Sequence, residues 1–131
     1  MSQNRRELAK QTGLAASKLL RAKGYISVVE VLMEMGKLSR EDYENWRFQR
    51  VPYLEKVIRI NLGKLNFILR TIRKNAQNGG LKASKTVYTS WGKKPRKVLR
   101  FSKAGLPHLE EAYSTHFLKP KEEGKQDSGD K

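Results

Sequence analysis

A chain of 131 residues, 37% apolar and 31% charged, supports one compact domain rather than two. Its 28 Lys and Arg against 13 Asp and Glu leave a formal charge of +15, which makes a polyanionic partner, nucleic acid, the first expectation. With no cysteine there are no disulfides, thiolate metal sites or sulfur nucleophiles, and no apolar run reaches the ~18 residues of a spanning helix.

The opening residues Met1 to Arg6 lead into a mixed Glu, Lys and Gln segment and not into the apolar core of a signal peptide. A cytoplasmic location without membrane contact is therefore expected. Residues 3–23 are helix-compatible, with Leu8, Leu14, Leu19 and Leu20 as apolar points, Gly24 as a stop and Gly13 as an interruption. Leu8-Ala9, then Gly13-Leu14, then Leu19, Leu20 and Ala22 resembles the bacterial helix-turn-helix pattern. The resemblance implies that Gly13 takes the turn and that Ala15, Ala16, Ser17, Lys18 and Arg21 lie on or near a helix entering the major groove. The alternative is one amphipathic helix with a kink or turn at Gly13.

Residues 26–36 predict a short buried helix entered from Ser27, with Glu30 as capping-box partner and Gly36 as its end. Ser39, followed by Glu41 and Asp42, repeats the start signal, and Tyr43, Trp46 and Phe48 are its anchors before Pro52. From Tyr53 to about Asn78 runs the strongest periodicity. Leu54, Val57, Ile58, Asn61, Leu65, Ile68, Leu69, Ile72 and Ala76 fall on one side of a helical wheel. Arg59, Gly63, Asn66, Arg70, Arg73, Lys74 and Gln77 fall on the other. Gly63 either splits this helix or allows close backbone approach. Residues 86–91 and 98–102 are β-rich, and the run from Gly92 to Lys97 between them gives a hairpin with a basic tip. Pro107 starts a last helix carrying Leu109, Ala112, Tyr113 and Phe117, and residues 119–131 read as a disordered tail.

The charge is concentrated. Residues 56–109 hold fourteen basic and no acidic side chains, whereas residues 1–55 hold ten and seven and residues 110–131 hold four and six. A solvated surface intersperses both signs; a stretch purged of carboxylates suits a phosphate backbone.

The sequence thus predicts a mainly α fold with one β-hairpin: a helical segment over 1–24, a basic helical domain over 25–118 with its hairpin at about 86–102, and the tail. Three helices followed by a hairpin with a Lys/Arg-rich loop resemble the winged-helix variant of the helix-turn-helix. The resemblance implies a recognition helix at the end of the long helical segment and a wing over 86–102, with the first helix as an N-terminal extension. Asn66, Arg70, Arg73, Lys74 and Gln77 would lie near bases or phosphates and Lys93, Lys94, Arg96 and Lys97 along the backbone, with Arg59, Lys82, Lys85 and Arg100 as further nucleic-acid-binding candidates. The strings WRFQRVPYLEKV and RFSKAGLPHLEEAYSTHF also resemble small basic bacterial proteins, a resemblance that implies no function. Within the first, Arg47 and Arg50 beside Trp46, Phe48 and Tyr53 either stack on nucleobases or tie helices together; the second role is favoured.

The two histidines, His108 and His116, lie eight residues apart, about 80° on a helix, and lack zinc-protease spacing. Glu110 and Glu111 are adjacent and diverge, and the basic half offers no carboxylates for metal. An acid/base pair of either histidine with Glu111, or metal-independent cleavage of RNA by a histidine, is the remaining catalytic option, and no enzymatic activity, metal or cofactor is expected. The leading function is duplex DNA binding, with association to the nucleoid. The alternatives are an RNA- or ribosome-associated protein, with Tyr88 and Trp91 stacking on bases, and a protein-binding module or inhibitor directed at an acidic partner.

Overall fold

The computed structural model describes residues 4–120, and it is mainly helical with a small antiparallel sheet. Helix α1 spans Arg5–Lys23. Its cap Asn4 accepts from the Glu7 N–H at 2.8 Å, and Gly24 closes it at φ 82°, a left-handed conformation that glycine adopts at low cost. The helix runs unbroken through Gly13, so no helix-turn-helix turn forms there. Burial of Leu8, Ala15, Ala16 and Leu19 on one face outweighs the glycine's weak helix propensity, about 1 kcal/mol. That face packs into the common core, against the long helix of residues 62–78, so α1 is part of the domain and not an extension of it.

Strand β1 (Tyr25–Ser27) leads directly into α2 (Val28–Glu34), where the Ser27 hydroxyl accepts from the Glu30 N–H at 3.2 Å as expected. Ser39 caps α3 (Arg40–Arg47) through the Asp42 N–H at 3.0 Å. The anticipated long helix from Tyr53 is not continuous. Residues Leu54–Val57 form one 3-10 turn, Ile58 is extended, and α4 occupies Leu62–Asn78 with Asn61 as its cap. The break precedes Gly63, and its cause is tertiary. The Leu54 and Glu55 N–H groups donate to the carbonyls of Arg100 and Phe101 at 3.2 and 2.9 Å, and the Arg59 N–H to Lys37 at 2.8 Å. These bonds replace the helical ones, while Leu54 and Ile58 stay buried as the periodicity required.

Strand β2 is Lys82–Ser84, α5 is Pro107–Ser114 and β3 is His116–Leu118. The sheet order is β1-β3-β2, with Phe117 opposite both Ile26 and Ala83. Phe117, expected on the last helix, instead belongs to the central strand. The Thr115 hydroxyl donates to Glu111 O as α5 ends, and the chain enters the gap between two strands whose edges need a partner. Lys119, assigned to the tail, donates its N–H to Gly24 O at 3.3 Å; residues 121–131 lie outside the described residues.

The expected hairpin is reduced to one bridge, Thr89 opposite Val98, flanked by the bonds Ser90 N–H to Lys97 O and Leu99 N–H to Tyr88 O, both 2.8 Å. Its second arm is captured elsewhere. Besides the pairing with residues 54 and 55, the fully buried Trp46 donates its indole N–H to Arg100 O at 2.8 Å, and Phe101 stacks on Tyr113 at 5.4 Å.

Candidate nucleic-acid interface

Burial of Leu65, Ile68, Leu69, Ile72 and Ala76 against α1 and the core fixes the rotation of α4. The 3.6-residue period then turns Asn66, Arg70, Arg73, Lys74 and Gln77 outward, and all five are exposed. Among the described residues, none of the three cations on that face forms an ion pair with a carboxylate. Asn66 to Gln77 span about 16 Å of helix axis at ~1.5 Å per residue. On one flank, α1 contributes Arg5, whose guanidinium lies 5.1 Å over the Phe67 ring and which shares a shallow groove with Arg70, Arg73 and Lys74. Arg5 was not a sequence candidate, because nothing local signals that the first turn of α1 lies beside α4. On the other flank a groove of about 590 Å³ separates α4 from α5, with Asn66, Arg70, Arg73 and Gln77 on one wall and His108 and Glu111 on the other.

The remaining candidates divide. Lys82 is exposed on β2, and Lys85 just beyond it is paired with Glu111 at 3.5 Å. Arg59 lies outside α4 and binds Asp42 at 3.3 Å. Lys93, Lys94, Arg96 and Lys97 are exposed on a connection that hangs from α3. Trp91 donates its N–H to Arg47 O at 2.8 Å and its ring meets Phe48 at 5.5 Å. No hydrogen bond or ring contact among the described residues joins this connection to α4. Arg100 is committed to the fold: Nε donates to Ser102 O at 2.9 Å, a terminal nitrogen to Lys103 O at 2.7 Å, and the guanidinium lies over Tyr53. In the α1 segment Ala15 and Ala16 are buried and Lys18 is paired with Glu34 at 2.7 Å, so they form no separate recognition helix.

The aromatic side chains around residues 43–53 and 88–91 pack against the arginines beside them. Trp46 is wholly enclosed, Arg50 covers Phe48 at 4.9 Å, and Tyr88 and Trp91 flank Arg47 at 5.2 and 4.7 Å. Burial raises the Tyr88 and Tyr113 phenols above their usual value, and for Tyr113 the nearby Glu55 adds to the effect. Burial lowers His116, so its imidazole is neutral at pH 7. For Glu30, burial alone raises the carboxyl, but hydrogen bonds from Lys23, Ser27 and Tyr25 outweigh it and hold the group below the ordinary range. His108 and Glu111 share the α4–α5 groove, whereas His116 lies beyond the sheet, so His116 and Glu111 do not pair. Among the described residues no cluster of three or more acids and histidines is placed to hold a metal, and no helix is long and apolar enough to cross a membrane.

Comparison of the chain with protein-family models, with curated proteins and with solved structures finds no match.

Proposed function

We propose that this protein binds duplex nucleic acid, DNA in preference to RNA, through the exposed face of α4, with the basic connection between β2 and β3 as a flanking contact. The observation that carries the reading is the state of the middle segment after folding. Of the fourteen basic residues in 56–109, only Arg59 and Lys85 pair with a carboxylate among the described residues. Unpaired cations on a rigid helix, interleaved with Asn66 and Gln77, supply phosphate contacts and amides suited to base edges. The topology supports the winged-helix resemblance in a form different from the one expected. A strand follows α1, the sheet is completed by two strands after α4, and the long basic connection between those strands takes the place of the wing.

The test is a fluorescence-anisotropy titration against duplex DNA, the matching single strand and an RNA hairpin at several salt concentrations. The logarithm of duplex affinity should fall linearly with log salt, and Arg70→Glu with Arg73→Glu should weaken binding about 100-fold or more. Unchanged affinity in that variant overturns the reading. Tighter binding to the hairpin at matched salt makes RNA the ligand. Weak binding to all three, with capture of one acidic protein that survives nuclease treatment, makes the face a protein-docking surface.

A further inference from the structure

Successive residues of a strand point to opposite faces, and β3 uses this to separate two depressions. Phe117 faces the core and the α4–α5 groove, whereas His116 faces a second, open cleft of about 600 Å³ lined by the end of α1, α2, α3 and residues 86–88. This size falls in the range of small-ligand sites. The cleft shares no lining residue with the α4 face.

Its chemistry is uneven. One wall is aromatic: Tyr25 stacks on His116 at 5.4 Å and 9°, and the Tyr88 hydroxyl meets His116 Nε2 at 2.9 Å. The charged residues around it are mostly spent. Lys18 is paired with Glu34, Lys23 with Glu30, and Arg40 with Glu44. Arg47 is the exception. Its guanidinium is gripped by Tyr43, Tyr88 and Trp91 at 5.8, 5.2 and 4.7 Å, no carboxylate among the described residues pairs with it, and Nε is buried without a hydrogen-bond partner. The rings fix the guanidinium with Nε turned inward, and its terminal nitrogens, which no acceptor among the described residues engages, are the donors that the cleft presents to an oxyanion. Beside it stand the half-buried, uncharged rings of Tyr25 and His116, a surface for a flat heteroaromatic group.

We propose that this cleft binds a single unstacked nucleotide, its phosphate on Arg47 and its base against the Tyr25, Tyr88 and His116 wall. The proposal is independent of duplex binding by α4. The nucleotide comes either free in solution or as an unpaired residue of a strand, and the test separates the two.

Trp91, in contact with Arg47, is the reporter. The full chain is titrated with AMP, UMP, inorganic phosphate and a short oligothymidylate while tryptophan emission is followed. A saturable change is expected with a mononucleotide, the oligonucleotide or both, at least about tenfold tighter than with inorganic phosphate. Saturation by the oligonucleotide alone assigns the cleft to an unpaired residue of a strand. Tyr25→Leu should weaken nucleotide binding and leave phosphate binding unchanged. Arg47→Lys, which keeps the charge but loses the fork, should weaken both, with circular dichroism confirming that each variant folds. Arg70→Glu with Arg73→Glu should leave nucleotide binding intact while weakening duplex binding about 100-fold or more, so that the two readings fail separately. The proposal is overturned by the lack of any saturable change at millimolar nucleotide or oligonucleotide, by equal affinity for nucleotide and inorganic phosphate, or by indifference of folded Tyr25→Leu and Arg47→Lys.

Discussion

Glu110 holds Ser102 by both of its donors: the Ser102 N–H reaches Glu110 Oε2 at 2.8 Å and the Ser102 hydroxyl donates to the same oxygen. The other carboxylate oxygen accepts the Phe101 N–H at 2.8 Å. A residue with the chemistry of a general acid thus serves to pin the end of the basic connection to the first turn of α5.

Replacing Glu110 with Ala removes the acceptor of two N–H groups in buried residues, Phe101 and Ser102, and an unsatisfied buried donor costs about 1–3 kcal/mol. Urea unfolding should show a loss of that order, and Glu110→Gln, which keeps one acceptor oxygen, should recover part of it. A neutral effect of Glu110→Ala would mean that water replaces the carboxylate.

Arginines 73 and 100 should respond in opposite ways to truncation. Arg73 is exposed and unpaired, so Arg73→Ala should reduce the slope of log affinity against log salt by about 0.9, the share of one phosphate contact. Arg100 donates to two carbonyls of its own chain, so Arg100→Ala should lower the thermal midpoint and leave the slope unchanged. Anisotropy titrations at four salt concentrations, with a melt of each variant, separate the two roles.

A methyl group at Gly13 would sit 3.6 Å from the Asn75 amide nitrogen, an ordinary van der Waals distance, on a residue within an unbroken helix. Gly13→Ala should therefore stabilise the protein by about 0.5–1 kcal/mol by restricting the unfolded chain. A helix-turn-helix glycine with positive φ would be destabilised by the same change, so the sign of the shift in urea midpoint distinguishes the two conformations.

Burial lowers His116 below its ordinary value of 6.5, so the unfolded chain takes up its proton first as pH falls. The neutral ring is at no disadvantage above about pH 6.5, and stability should decline progressively as pH falls below that point. Glu30, held below its ordinary value of 4.5, adds its own loss only at lower pH, as its carboxylate is protonated. Chemical unfolding at pH 7.5, 6.5 and 5.5 should show the first decline in the wild type, and His116→Phe should remove it.

Elements set by local chemistry were legible in the sequence. Ser27 and Ser39 cap the helices they were expected to cap, Gly24 ends α1, α4 stops at Asn78 where the periodicity stops, and Pro107 opens α5. In each case the deciding bond or dihedral lies within four residues of the one that signals it. The outward face of α4 was equally legible, because a buried stripe of period 3.6 leaves only one side for Arg70, Arg73 and Lys74.

The sequence by itself determined the helical class, the basic face and the concentration of charge in one segment, since periodicity and composition act along the chain. Only the tertiary structure decided where the helix from Tyr53 breaks, what becomes of the hairpin's second arm and why Phe117 leaves α5. In each case a backbone group finds its partner tens of residues away: Leu54 and Glu55 at residues 100 and 101, Trp46 at Arg100, Phe117 between Ile26 and Ala83. A buried backbone group must be paired, and when a distant segment offers the pairing together with burial of Trp46 and Phe101, it outcompetes the local helix or hairpin that the pattern favours. The enclosure of Arg47 by three rings from two segments is decided in the same way. No spacing in the chain brings Tyr43, Tyr88 and Trp91 to one guanidinium until the connection after β2 folds back on α3.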